Sequence, residues 1–182
     1  MFCDRMGVSK AENNIDMGVL EDCVRDTLDT EAPRALAISH PLKVTITNWD
    51  QGEEEIFTAE RHPKRPEMGS RDIPFSGAVY IDREDFFDTG VDGSISVPKG
   101  YKRLVPGGQV RLKYAYVITC DKVIRDDAGE ATELICSYDK RTRAGVNPEG
   151  AKKAKGIIQW VSQKHAVPVY LALFDRLFLA PR

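Results

Sequence analysis

At 182 residues, 42% of them hydrophobic and 30% charged, the chain has room for one ordinary domain or two small ones of a water-soluble kind. No apolar run approaches the ~20 residues that a helical membrane span needs, and no secretory leader is visible, so a cytoplasmic protein with no membrane partner is expected. Cys3, Cys23, Cys120 and Cys136 fall in no metal-ligand spacing; free thiols in a reducing compartment and no metal site are expected.

The formal net charge of −2 argues against a uniformly basic nucleic-acid binder, but its distribution does not. Residues 1–31 carry 8 acids and 3 bases, residues 32–98 carry 12 and 7, and residues 99–182 carry 8 and 16. The C-terminal half, at net +8, is able to attract a polyanion; charge alone leaves that reading level with a gradient that has no partner.

In chain order, Ser9-Lys10-Ala11-Glu12 has the form of a capping box and predicts a helix start. Ile15, Val19, Leu20, Val24 and Leu28 follow helical spacing, and Pro33 ends the pattern. The stripe is a packing face, and little in the chain precedes it to serve as partner. The period then changes to two. Leu42 to Thr47 predicts a half-buried strand, Asp50-Gln51-Gly52 a turn, and Ile56 to Ala59 and Ala78 to Ile81 further strands. His62 to Pro66 predicts a loop, and Gly90 to Gly100 a linker or long loop. Gln109 to Cys120 is the longest alternating run, which predicts one strand with Arg111 and Lys113 sharing a face. Asp126 to Gly129 predicts a turn, Thr132 to Tyr138 a strand, Arg141 to Lys155 a basic loop, and Ile157 to Val161 and Val167 to Phe174 the last strands. Short strands at regular turn spacing point to barrels or sandwiches.

One stretch carries recognition chemistry. Lys99 to Cys120 holds Lys99, Lys102, Arg103, Arg111 and Lys113, no acid, and Tyr101, Tyr114 and Tyr116. Pro106-Gly107-Gly108 predicts a turn that folds Tyr101-Lys102-Arg103 back beside the strand. Guanidinium forks, ammonium groups and ring planes together suit single-stranded RNA; a solvated strand face beside core tyrosines is the competing reading. His165 has no serine, cysteine or carboxylate constellation in the sequence, so no catalytic residue is expected.

Several ordered blocks then carry a resemblance. They are Asn13-Asn14-Ile15-Asp16, Ala32-Pro33-Arg34-Ala35, Pro66-Glu67-Met68-Gly69-Ser70-Arg71, Pro74-Phe75-Ser76-Gly77, Tyr101-Lys102-Arg103-Leu104-Val105, Val110-Arg111-Leu112, residues 155–162 and residues 173–178. Over essentially its whole length the chain resembles the C-terminal region of bacterial-type glutaminyl-tRNA synthetases, class I aminoacyl-tRNA synthetases. The resemblance implies a mainly β fold: a short N-terminal helical segment followed by two antiparallel β-barrels, the proximal one incomplete, of the ribosomal-protein-like anticodon-binding type. Residues 1–33 would end a helical connector, 34–98 begin the proximal barrel, and 99–182 form the distal barrel. The catalytic domain, with its ATP and magnesium, and the strands that return to complete the proximal barrel would lie outside this stretch.

The same resemblance implies a glutamine tRNA anticodon stem-loop as partner and no DNA. Arg34 aligns with a contact to the middle anticodon base, Arg103 with the reader of the third base, and Arg111 with a residue at the first-base pocket. Tyr101, Lys102 and Lys113 belong to the same anticodon-binding stretch. Gly100 stands where glutamine is common, Lys113 where a second arginine is common, and residues 88–98 exceed the usual loop. Rival expectations are the matching region of an archaeal or eukaryotic-type glutamyl-tRNA synthetase, and a non-enzymatic β-barrel interaction module.

Overall fold

The computed structural model describes residues 2–10, 14–150 and 153–175. It is mainly β and divides into two compact units: residues 1–34, 60–69 and 170–182 form one, and residues 35–59 and 70–169 the other.

The smaller unit is built on helices α1 (Phe2–Met6) and α2 (Met17–Glu31). The expected capping box does not start α2. Ser9 is not helical, Ala11 and Glu12 lie outside the described residues, and the cap is Asp16, whose carboxylate accepts from Gly18 N at 2.7 Å. Aspartate there satisfies an otherwise unpaired first-turn amide. The predicted stripe is present, with Leu20, Val24 and Leu28 each 43–50% exposed, and Ala172, Leu173 and Phe174 border the same groove of about 540 Å³. The C-terminal end of α2 collects hydrogen-bond donors. His62, 1% exposed, bonds Asp29 O through Nε2 at 2.8 Å and accepts Lys64 N–H at Nδ1, 3.1 Å, while Lys64 Nζ reaches the Asp29 carboxylate at 3.1 Å. Positive groups at this end complement the unpaired carbonyls and the helix dipole.

The larger unit holds nearly all the strands. They are β1 (Pro41–Ile46), β2 (Glu55–Glu60, its last residue counted with the smaller unit), β3 (Ser70–Phe75), β4 (Ala78–Asp82), β5 (Gln109–Leu112), β6 (Val117–Arg125), β7 (Ala131–Asp139), β8 (Ile157–Ile158) and β9 (Val161–Ser162). Seven form one sheet in the order β8-β5-β6-β7-β1-β4-β9; β2 and β3 form a second. The sheet is not wholly antiparallel as expected, because β1–β7 and β5–β8 are parallel pairs. It also crosses residue 98: β1 and β4, from before that position, pair with β7 and β9 from after it. The edge strands β8 and β9 are separated only by Gln159 and Trp160, so the sheet curls until one extended segment serves both of its edges.

Two further sequence expectations are corrected, and one strand is added. The run from Gln109 to Cys120 is not one strand but a hairpin, with Arg111 opposite Val117 and a turn between β5 and β6. Ala115 N donates to Leu112 O at 2.9 Å, and Tyr114 takes a left-handed φ of 68°. Ser70–Phe75, unpredicted because Pro74 interrupts it, is a strand of the small sheet, where proline is tolerated near an end or on an edge. Val167 to Phe174 is not a strand; Pro168 lacks a donor, and Val167, Val169 and Tyr170 are 79–95% exposed.

Six aromatic rings pack the core under the sheet. Phe75 sits 4.9 Å from Trp49, 5.9 Å from Phe57, 5.7 Å from Tyr116 and 5.0 Å from Trp160, in edge-to-face geometry, and Tyr138 lies 4.8 Å from Tyr116. Trp160 is fully buried and donates its indole N–H to Lys113 O at 2.8 Å. Beside β9 runs a polar seam, in which Ser162 Oγ bonds Ser76 Oγ at 2.8 Å and His165 Nδ1 at 3.1 Å. Trp160→Ala is expected to cost about 3–5 kcal/mol, the range for emptying a large aromatic site, read as a fall in the urea midpoint of unfolding.

Candidate nucleic-acid interface

Tyr101, Lys102 and Arg103 come after a turn at Lys99-Gly100, where Tyr101 N donates to Pro98 O at 3.0 Å. Gly100 has φ 86°, a left-handed conformation that suits glycine, and its position carries no side chain into the site. Leu104, fully buried, anchors the C-terminal end of this segment: its N–H donates to Asp85 O at 3.0 Å and its carbonyl accepts from Phe87 N at 2.9 Å. Tyr101 lays its ring 5.6 Å from Phe87 and donates its hydroxyl to Glu84 O at 3.4 Å. Arg103 Nη1 meets Asp85 Oδ1 at 2.9 Å and Glu84 O at 3.3 Å, with its side chain half exposed and that of Asp85 13% exposed. Residues 101–103 are thus held by the backbone and one carboxylate of a short turn, Arg83–Asp85.

Asp85 titrates above its ordinary value of 3.8, because burial disfavours its charge more than Arg103 stabilises it.

The chain beside Lys102 is not β5, as the Pro106-Gly107-Gly108 turn suggested, but the run entering β8. A Cβ placed on Gly156 would collide with Lys102 O, so only glycine admits the approach. Gly156 O in turn accepts Arg111 N at 3.0 Å, which seats the run against β5. Together these segments line a concavity of about 520 Å³ to which Tyr101, Lys102, Arg103, Gln109, Lys153 and Lys155 contribute and, among the described residues, no acidic one does.

The other expected residues lie elsewhere. Arg111 is 7% exposed: Nη1 donates to Thr142 O at 2.8 Å, and Nη2 to Val146 O at 2.9 Å and Asn147 Oδ1 at 3.0 Å. Burial lowers its pKa. Its chemistry is to pin the loop after β7. Lys113 sits at the start of the hairpin turn, its N–H still donating to Ile158 O at 3.0 Å, with Nζ 5.3 Å from the Tyr114 ring centre. The left-handed residue at 114 ends the alternation that the sequence displays. Arg34 belongs to the smaller unit, where its guanidinium bonds Asp29 O at 3.0 Å and Asp29 Oδ1 at 2.5 Å at the end of α2. Lys64 and Arg34 together hold the Asp29 carboxyl below its ordinary value. Sequence reasoning missed Asp85, Lys153 and Lys155. The lysines had a legible signal, since a period of two runs from residue 153 to Trp160.

The arrangement is a half-fixed guanidinium, a ring and a rim of lysines around an open concavity. The family described as tRNA synthetases class I (E and Q), anti-codon binding domain, matches residues 32–139, and the chain belongs to that family. It is similar to the protein named glutamine–tRNA ligase of Cronobacter sakazakii, 47% identical over 180 residues, which are 99% of this chain and 31% of that relative. It is equally similar to the glutamine–tRNA ligase of Neisseria meningitidis serogroup A, 47% identical over 182 residues, all of this chain and 31% of that relative. The chain thus spans under a third of the length of these curated relatives.

Two outcomes check the geometry. Gly156→Ala is expected to destabilise by about 1–3 kcal/mol, as overpacking does, and to weaken any RNA binding at Lys102 and Arg103 with it; unchanged melting would refute the close approach. For Asp85, the raised folded pKa means its contribution is fully present below the unfolded value, 3.8, and is lost as pH rises through the folded one. The stability of the wild type relative to Asp85→Asn should therefore fall as pH rises across that window, and a difference that rises instead would reverse the sign.

Proposed function

We propose that this chain is the anticodon-reading portion of a glutamine–tRNA ligase, and that its concavity receives an unstacked base of the anticodon loop of a glutamine tRNA. The observation that carries this reading is the mounting of Arg103. Asp85 and Glu84 O engage Nη1, which leaves Nη2 and Nε of the fork for a base edge. Arginine in that state suits the paired O6 and N7 acceptors of guanine, the base that the family resemblance gives for the third anticodon position. Tyr101 supplies a stacking plane beside it.

Arg34 is assigned to the middle base, as an edge that has to leave Asp29 or present its remaining donors. Arg111 is assigned a positioning role through the loop it pins, and Lys113 a peripheral contact. In this reading the expected division at residues 33/34 and 98/99 marks connector, proximal and distal recognition regions. The whole protein attaches glutamine to its tRNA with ATP and magnesium in the cytoplasm, and this stretch by itself catalyses no step. Anticodon contacts supply selectivity to a catalytic domain elsewhere in the protein.

The test is equilibrium binding to a glutamine tRNA transcript and to the same transcript with its third anticodon base changed. Arg103→Ala is expected to remove about 1–3 kcal/mol of discrimination between the two, the worth of one bidentate base contact. Equal loss on both transcripts would reduce Arg103 to a phosphate contact and sink the assignment.

A further inference from the structure

Several cations of the C-terminal half serve the fold: Arg125 is held by Asp88, Arg141 by Asp139 at 2.8 Å, Arg143 by Glu55 at 2.5 Å, and Lys164 by Glu54. Arg111 is spent on carbonyls. Lys153 and Lys155 belong to neither group. Both are exposed, both line the concavity, and neither forms an ion pair among the described residues.

Their placement comes from the backbone. From residue 153 to 160 burial alternates: Ala154, Gly156, Ile158 and Trp160 face inward, and Lys153, Lys155, Ile157 and Gln159 face outward. The two lysines are two residues apart on the exposed side of this run, which sets their Cα atoms no more than about 7 Å apart. That is the scale of successive phosphates on a single strand. Gly156 then brings the run against Lys102 O, which puts the lysine row beside the segment that carries Arg103. Ammonium groups on flexible stems are point charges suited to phosphate; the arginine fork and the tyrosine ring beside them are suited to a base.

We infer that Lys153 and Lys155 hold two consecutive phosphodiesters of the single-stranded RNA whose base enters the concavity beside Arg103. The inference rests on the RNA-binding reading above and assigns a different task within it: the lysines supply sequence-independent grip, and Arg103 supplies discrimination. The contact is ionic and exposed, so it weakens as salt rises through counterion release.

The experiment compares the wild-type chain with the Lys153→Ala/Lys155→Ala variant on the glutamine tRNA transcript and on its anticodon-swapped counterpart, across a salt series. Both side chains are exposed, so an unchanged unfolding midpoint is expected and is measured alongside. The variant should lose affinity for both transcripts by the same factor, and its slope of log K against log salt should be shallower by ~1.4, two single-strand phosphates at ~0.7 each. An unchanged slope, or a loss confined to one transcript, overturns the inference. The two readings fail separately. A wild type that does not discriminate, paired with a shallower variant slope, sinks base reading and keeps the lysine contact. A wild type that discriminates, paired with an unchanged slope, does the reverse.

Discussion

The contact between Gly156 and the carbonyl of Lys102 is the constraint on which the basic surface depends. A backbone oxygen occupies the place of a side chain, so two segments more than fifty residues apart in sequence lie against each other. One brings the half-fixed arginine and the ring, the other the row of lysines. Each segment is anchored independently from its inner side, by Leu104 in one case and by Ile158 and Trp160 in the other. The buried apolar side chains do the positioning, and the charged ones remain able to meet a ligand.

That division recurs across the molecule. Burying a guanidinium is costly unless its donors are satisfied, and Arg111 meets the condition with two carbonyls and an amide oxygen. Its net effect is to order a loop. Arg34, at the carbonyl end of α2, is engaged in a similar way but remains partly open to solvent. Arg103 stands between these cases, fixed at one nitrogen and half exposed. A residue with every donor occupied makes a poor reader, and one with none fixed loses more entropy when it binds. Arg103 avoids both penalties.

Much of the fold is legible in the sequence wherever alternation and turn chemistry agree. β1, β4 and β7 fall within one or two residues of the places that Leu42 to Thr47, Ala78 to Ile81 and Thr132 to Tyr138 predict. The failures share a cause, since each is decided by a non-local partner. Gln109 to Cys120 alternates well enough for one strand, yet Tyr114 goes left-handed because Leu112 and Tyr116 close a hairpin, with Leu112 N donating to Tyr116 O at 2.8 Å. Arg111 reads as a surface cation because nothing near it in sequence shows that residues 142–147 will cover it. At the site, the segment 101–103 is visible as a cluster of cations and rings. Asp85 is not, because its pairing with Arg103 depends on a parallel bridge between Phe86 and Leu104.

The segment at 157–162 has a consequence in time as well as in space. It satisfies β5 at one edge of the sheet and β4 at the other, and it is the last in chain order of the segments that build this sheet. Until it arrives, the nascent chain carries two open rows of amides and carbonyls and an unfilled site where Trp160 belongs. Such pairing is long-range and closes late, which favours slow folding and a window for misassociation between chains. These few residues around a single tryptophan therefore act as a latch on the sheet.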